Sequence, residues 1–423
     1  MKKIISLAKQ RGFIFPSSEI YGGFNSSYDF GPLGALLKRN IKEAWLKEML
    51  NIQDNIVNLD AAILMSPKVW EASGHLSKGF ADELVECKKC HKRYRLDQVK
   101  DKCEDCGGEL TEPKQFNLMM KTFIGSTEDE ASTAYLRAET CQGIYINYKN
   151  VLNSMRMKLP FGIAQIGKSF RNEITTKNYI FRMREFEQME MQWFCEPKEA
   201  DKWFDYWKEQ RWNWYINLGI NPKKLRMQEI PDGERAHYAK RQIDLEYEFP
   251  FGWQEIEGIH NRGDWDLSQH SKHSGEKMDD IPYIIETSVG VERSLLAFFC
   301  DAFTEVEGGR GKDAKKEEEI VLKLHKDLAP IKIAVLPLMK KDVLVEKAKE
   351  IYKSLKKRYI VQYDQQGSIG KRYRRQDEIG TLYCVTIDFD SIEKGTVTIR
   401  DRDTMEQEVV EIDKLVEYFE ERL

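Results

Sequence analysis

GKSFRNEITTKNYIFRMREFEQMEMQWF, residues 167–194, reads as two strands joined by a loop, and its charged residues recur at intervals of two. Residues two apart on a strand share a face of the sheet. Arg171 and Glu173 are therefore expected together on the first strand, and Arg182, Arg184, Phe186, Gln188 and Glu190 together on the second. Met183, Glu185, Glu187, Met189 and Met191 make the opposite face, and the loop 174–180 carries Lys177. A surface of guanidinium groups, one aromatic ring and several carboxylates suits a nucleoside triphosphate. Arginine forks match phosphate oxygens, the ring can stack on a base, and a carboxylate can accept from an exocyclic amine. A salt-bridge ladder on a solvated hairpin also fits the charge alternation, but aromatic and methionine neighbours on strands this long argue against simple solvation.

The rest of the chain sets bounds on that reading. A chain of 423 residues, 41% of them hydrophobic, is long enough for two or three domains and a sizeable core. The formal charge of -4, from 66 basic and 70 acidic residues, gives no global signature for nucleic acid, so any polyanion must be met by local patches. The start, MKKIISLAKQRGF, lacks the apolar segment of a signal peptide, and no apolar run approaches a membrane span, so a cytoplasmic protein is expected.

Four of the 8 cysteines form one cluster: Cys87, Cys90, Cys103 and Cys106 make CxxC, twelve residues, CxxC, with Gly107-Gly108 after the second pair. Each pair can wrap one edge of a tetrahedral zinc, and four thiolates leave no position for water, so the spacing predicts a closed structural zinc site in a reducing compartment. The flanking Lys88, Lys89, Lys92, Arg93 and Lys102 are read as a solvated basic face that is also able to meet RNA.

Taken in order, residues 4–11 predict a short helix, and Leu33, Leu37, Ile41, Ala44, Trp45 and Met49 fall at helical spacing over 33–50. A strand is expected over 56–65, ending at Ser66-Pro67, and another over 115–122. In YLRAETCQG, Glu139 sits among small residues; alone it reads as a surface carboxylate. Trp203, Trp207 and Trp214 form a stripe best explained as buried. His237 and Tyr238 are expected to open a strand region ending in EYEFPFGWQEIEGI, where Glu255 lies between Trp253 and Ile256, a costly place for a carboxylate unless it is paired or metal-bound. ETSVGVERSLLAFF switches from strand to helix at Gly290, putting Arg293 in the first helical turn beside a positive helix end. EGGRGKDAKKEEE, residues 307–319, marks a boundary. Beyond it, strands and helices alternate as a small α/β domain with a largely parallel sheet, whose basic groups cluster at Lys356, Lys357, Arg358 and at Lys371, Arg372, Arg374, Arg375.

FRNE, a loop, then RxxxFxxxE resembles motif 2 of the class II aminoacyl-tRNA synthetases. Tyr135–Gly143, Glu234–Ile259, NRGDWDL (Asn261–Leu267) and ETSVGVER (Glu286–Arg293) resemble, in the same order, blocks of the glycyl-tRNA synthetase family. The likeness runs from about Arg11 to the C-terminus. It implies an α+β chain: an antiparallel-sheet catalytic domain over 1–310 with a zinc-ribbon insertion at 84–112, a linker at 311–330, and an anticodon-binding α/β domain over 331–423. It also implies activation of glycine by ATP with Mg2+, transfer to tRNA(Gly), and a homodimer joined through the helix over 33–50 and the strand over 56–65 ending at Ser66-Pro67, which resemble motif 1.

By the same resemblance, Arg171, Glu173, Arg182 and Arg293 are the catalytic residues. Asn172, Phe181, Phe186, Glu255, Ile256 and Gly290 complete the ATP site, with magnesium near Glu255. Arg95, Glu139, Gln188, Glu190, Glu286 and Ser288, with Phe186, hold glycine. Ala138 and Cys141 depart from the family's common LRPETAQG, which puts the rigidity of that loop in question but leaves its glutamate. A synthetase for proline, threonine or serine would share the arginines but not the three glutamates. A non-catalytic nucleic-acid-binding relative would be expected to have lost Arg171, Glu173 or Arg293.

Overall fold

The computed structural model describes residues 1–52, 54–77, 80–174, 178–278, 280–308 and 318–423; Lys177 and most of 307–319 lie outside them. A seven-stranded sheet organises the larger part. Its order is Leu225–Glu229, Arg241–Phe249, Gly252–Gly263, Tyr283–Gly290, Glu185–Cys195, Phe161–Phe170 and Ile56–Asn58. All neighbours pair antiparallel except the last, which runs parallel to Phe161–Phe170.

One face of this sheet is packed by helices. In the helix Pro32–Ile52, Leu37, Ile41, Trp45 and Met49 are fully buried, as their spacing of four requires. Proline at the helix start takes a position whose missing N–H would have had no partner. Trp207 and Trp214 of the helix Ala200–Asn217 are buried in the same core, so the tryptophan stripe is packing. Each such side chain stabilises by roughly 1.5–3 kcal/mol, more than helix propensity supplies.

Several expected elements are trimmed. The strand expected over 56–65 spans only Ile56–Asn58, and the one over 115–122 splits into Lys114–Asn117 and Met120–Phe123. His237 and Tyr238 precede the strand Arg241–Phe249 instead of opening it, and a turn at Pro250-Phe251 separates that strand from Gly252–Gly263. Within the segment expected as a linker, Glu319–Leu322 is a strand paired with Phe303–Val306, and Leu322, Leu324, Leu328 and Ala329 are buried in the main core. The reason is in its own residues, since IVLKL is apolar enough to be drawn under the sheet.

The cysteine segment hangs on a three-stranded sheet of Arg93–Arg95, Ala81–Glu86 and Lys114–Asn117. Beyond residue 330 lies a five-stranded sheet ordered Val361–Tyr363, Ile333–Pro337, Tyr383–Ile387, Thr396–Asp401, Gln407–Glu411. Its first three strands are parallel and the last two antiparallel, so it is mixed, not largely parallel. The arginines of the helix Ile369–Ile379 are mostly spoken for. Buried Arg372 donates to Leu338 O at 3.1 Å, Arg374 pairs with Glu319 at 3.0 Å and Arg375 with Asp364 at 2.6 Å. Lys371, Lys356 and Lys357 remain exposed.

Candidate active site

The face of the large sheet away from the main core forms a cleft of about 290 Å³. Strand register explains its floor. Antiparallel pairing sets Asp244 opposite Gly258, Gly258 opposite Ser288, Ser288 opposite Glu190 and Glu190 opposite Gln165. One step along, Gln242, His260, Glu286 and Gln192 make a second row. The first row crosses five strands and the second four, because cross-strand partners on one face stand side by side. A Cβ at position 258 would lie 2.6 Å from the His260 ring, so any residue larger than Gly258 would have to displace that ring.

At one end the cleft is acidic and buried. Glu190 accepts from Thr140 Oγ1 at 2.5 Å, Ser288 Oγ at 2.7 Å and Gln188 Nε2 at 3.0 Å. Burial, then the charges of Glu286 and Glu139, push its carboxyl up to about 8. Glu286 goes the other way: burial opposes ionisation, but Arg262 and His260 outweigh it and hold the carboxyl at about 2. Arg262 donates to both Glu286 oxygens at 3.2 and 3.1 Å, and to Asp266 through a fork of 2.7 and 2.9 Å. The Tyr238 ring covers its guanidinium at 3.6 Å. Glu139 is held well below the usual carboxylate range; burial works against this, and His75, Arg262 and Gln142 overcome it.

The other end is cationic. Arg171, Arg182 and Arg293 line it together with Phe181 and Phe186. Arg171 is anchored by Nε to Ala138 O at 3.1 Å and lies 5.5 Å from both the Phe80 and Phe186 ring centres. Among the described residues no ion pair commits its charge to a carboxylate. Arg182 is 3.7 Å from Glu173, and Arg293 pairs with Glu255 at 3.1 Å while covering the Phe181 ring at 4.5 Å. Asp244, lining the same wall, has its carboxyl raised to about 6, by burial first and then by Glu255.

The structure thus gathers Glu139, Arg171, Glu173, Phe181, Arg182 and Phe186 with Gln188, Glu190, Glu255, Glu286, Ser288, Gly290 and Arg293 around one cleft. It does so by a different route from the one the period suggests. The strands end at Phe170 and begin again at Glu185, so Arg171, Glu173, Arg182 and Arg184 lie off them. Asn172 N turns away to Leu118 O at 2.8 Å, and a 3-10 turn at Tyr179–Phe181 delivers Arg182. Arg184 faces elsewhere, bonding Asn25 O at 3.0 Å and Glu173 O at 3.2 Å.

Three expected residues are not in the cleft lining. Ile256 is buried in the core, on the alternate face of its strand. Asn172 is used by its backbone. Arg95 is held by Asp97 at 3.0 Å and Asp82 at 3.4 Å, near enough to Glu173 for their charges to interact. The sequence assigned no site role to Arg262, His260, Tyr238 or Asp244. Arg262 lies in the NRGDWDL block, but it sits at a register shift between Asn261 and Gly263 that the local pattern does not reveal.

The four cysteines of the second site come together as their spacing predicts: all four Sγ atoms lie within 4.8 Å of one another, with pairs at 3.5 and 3.6 Å. Tetrahedral thiolate sites with zinc–sulfur bonds near 2.3 Å need sulfurs about 3.8 Å apart. Backbone N–H groups of Lys89 and Cys90 point at Cys87 Sγ, at 3.4 and 3.5 Å, and a Cβ on Gly108 would meet that sulfur at 2.8 Å. The donor set therefore fits a zinc ion. Its basic flank is not free: Lys88 pairs with Glu109 at 3.1 Å, Lys92 with Asp105 at 2.7 Å and Arg93 with Glu86 at 2.9 Å.

Comparison with known proteins agrees with this geometry. Residues 123–301 match the family described as tRNA synthetase class II core domain (G, H, P, S and T), and 332–422 the anticodon binding domain. The chain is 56% identical to a glycine–tRNA ligase of Treponema denticola, over 96% of this chain and 93% of that one. A glycine–tRNA ligase of Alkaliphilus oremlandii is 50% identical over 100% of this chain and 98% of its own. A prolyl-tRNA synthetase from Cryptosporidium parvum superposes with a TM-score of 0.66 over 99% of this chain and 74% of that one; at 16% identity it shares the fold.

Proposed function

This chain belongs to the glycine–tRNA ligases, class II enzymes that join glycine to tRNA with ATP, and from that premise we propose how its cleft performs the reaction. ATP binds bent at the cationic end. Arg171 takes the α-phosphate and the glycine carboxylate, and Arg182 and Arg293 hold the γ-phosphate. Glu173 accepts from the adenine amine and Phe186 stacks on the base. Glycine lies at the acidic end, its ammonium among Glu139, Glu190 and Glu286, with Ser288 over its α-carbon. The observation that carries this reading is the joining of an uncommitted guanidinium and three buried carboxylates in one cleft.

No protein nucleophile is needed. A glycine carboxylate oxygen attacks the α-phosphorus, pyrophosphate leaves, and the arginines neutralise charge as it develops. The terminal ribose hydroxyl of tRNA(Gly) then attacks the glycyl carbonyl and AMP leaves. Asp244 and Glu255 would hold magnesium: both line the same wall, and burial first, then the Glu255 charge, raises the Asp244 carboxyl to about 6, so a divalent cation there would be favoured. When bound, the ion supplies charge neutralisation to the phosphates. Zinc at Cys87, Cys90, Cys103 and Cys106 is structural. The chain works in the cytoplasm as a homodimer joined through the Pro32–Ile52 region; exposed Ile20, Tyr21 and Phe24 on the preceding loop are consistent with a covered face. Among the described residues no helix is long and apolar enough to cross a membrane.

Glycine has no side chain to grip, so selection rests on its ammonium and on excluding anything larger. Pyrophosphate exchange into ATP is expected with glycine and to be at least about 100-fold less efficient with alanine or serine. Equal activation of alanine would refute the pocket assignment.

Glu190 adds a pH signature. Its carboxyl, raised to about 8, is protonated in the empty cleft at neutral pH, whereas an ammonium neighbour favours the ionised form. Glycine binding should therefore release a proton below about pH 8, and KM for glycine should fall as pH rises to that value and then level. Glu190→Gln should raise KM and flatten the profile; a wild-type KM independent of pH between 6 and 8 would contradict the assignment.

Elemental analysis of reduced protein should find one zinc per chain. A strong chelator should remove it and raise proteolytic cleavage within 84–112, since metal binding and local folding are linked. Metal-free protein with an intact insertion would rule the site out.

A further inference from the structure

Outside the cleft lining, the turn that follows the helix Pro67–Ala72 carries Ser73, Gly74 and His75, and His75 reaches the glycine end from behind. Its Nε2 lies 3.5 Å from Glu139 Oε2, while Ser73 Oγ is 2.8 Å from its Nδ1. The ring is wedged edge-on against Trp70, with centres 5.3 Å apart, and lies tilted against Phe80 at 4.5 Å. Asn117 Nδ2 donates to the His75 carbonyl at 2.8 Å. Ring and backbone are thus both fixed, and the side chain is 9% exposed.

Glu139 divides its two oxygens between different partners. Oε1 accepts from Gln142 Nε2 at 2.8 Å and from Cys141 Sγ at 3.1 Å, whereas among the described residues the close polar contact of Oε2 is the His75 imidazole. We propose that His75 is a positioning residue for amino-acid activation, orienting the Glu139 carboxylate so that its remaining lone pair faces the substrate ammonium. The proposal rests on the reading of Glu139 as an ammonium-binding residue.

Proton bookkeeping supports it. An ionised carboxylate only accepts, so the proton facing Glu139 belongs to Nε2. Nδ1 is then free to accept from the Ser73 hydroxyl or, if it too is protonated, to donate to it. Either way a donor faces Glu139, and Ser73 keeps the ring from turning. Without this contact the carboxylate can rotate about its last bond, and an ammonium so placed no longer sets the glycine carboxylate beside the α-phosphorus.

The test separates reach from polarity. Glutamine extends an N–H donor to the place of Nε2, whereas asparagine reaches only the place of Nδ1. Glycine-dependent pyrophosphate exchange is measured for His75→Gln, His75→Asn and Glu139→Gln, with KM for ATP and thermal melting alongside. His75→Asn is expected to raise KM for glycine about tenfold, as for loss of a hydrogen bond to a charged group, with KM for ATP within about twofold. His75→Gln is expected to recover most of that loss. Equal behaviour of the two variants, an unchanged KM for glycine in His75→Asn, or parallel rises for glycine and ATP would each overturn the proposal. Glu139→Gln tells the two readings apart: if it leaves KM for glycine unchanged, the ammonium assignment fails first; if it raises KM while His75→Asn does not, only the role of His75 fails.

Discussion

Replacing Arg171 by alanine is expected to slow glycyl-adenylate formation by about 10³-fold while moving the melting temperature only slightly. The magnitude follows from what the side chain does and does not touch. Among the described residues its one polar anchor is Nε to Ala138 O at 3.1 Å, which leaves the two terminal nitrogens for ligand oxygens. A charge-assisted donor aimed at a developing anion in a partly dry cleft contributes about 3–4 kcal/mol at the transition state. Loss of one hydrogen bond to a backbone carbonyl costs the folded state only about 0.5–1.5 kcal/mol. In the proposed role the same guanidinium also meets both anions that must combine, so its removal would let them drift apart. Single-turnover adenylate formation checks the first number and a thermal melt the second. A rate within tenfold of wild type would remove Arg171 from the chemistry.

Arg262→Met carries the largest expected effect on stability. Arg262 is 2% exposed and compensates two carboxylates that are themselves nearly inaccessible, Asp266 and Glu286, at 1% and 3%. Methionine keeps much of the volume but leaves two buried negative charges with one lost partner, a change that costs about 3–5 kcal/mol. Urea unfolding at neutral pH should show that loss; less than about 1 kcal/mol would mean the pair is weakly coupled.

The sign of its pH dependence is a second check. In the wild type the Glu286 carboxyl is held at about 2, below its unfolded value, so its contribution is present above the unfolded value and lost as pH falls towards 2. In the variant, burial opposed by His260 but no longer by Arg262 raises the folded value, and the penalty should shrink as pH falls and the carboxyl protonates. The two curves should therefore converge on acidification.

Most of the architecture was legible because its signals are local. The spacing of Leu37, Ile41, Trp45 and Met49 defines a helical stripe, and CxxC pairs define a tetrahedral cage. ETSVGVER changes period at Gly290, where the strand Tyr283–Gly290 gives way to the helix Val291–Ala302. Phe186, Gln188 and Glu190 do share a face with the cleft, as residues two apart on a strand must. The alternation failed where the chain leaves the sheet: Arg171 and Arg182 reach the cleft from a turn and a short helix, because Asn172 N finds its partner in another segment. The C-terminal arginines misled for a related reason. Charge density along a helix says nothing of which carboxylates fold against it, and Asp364 and Glu319 do.

By itself, then, the sequence determined which elements form, the cysteine cage and the inventory of groups able to handle a triphosphate and an ammonium, since periodicity and spacing act over a few residues. Only the tertiary structure decided which of those charges remain free. Arg171 stays uncommitted, Arg262 is consumed by Glu286 and Asp266, Glu190 keeps its proton, and Asp244 joins Glu255. Those outcomes depend on burial and on cross-strand neighbours tens of residues apart, and electrostatics in a low-dielectric cleft is set by distance in space, not along the chain.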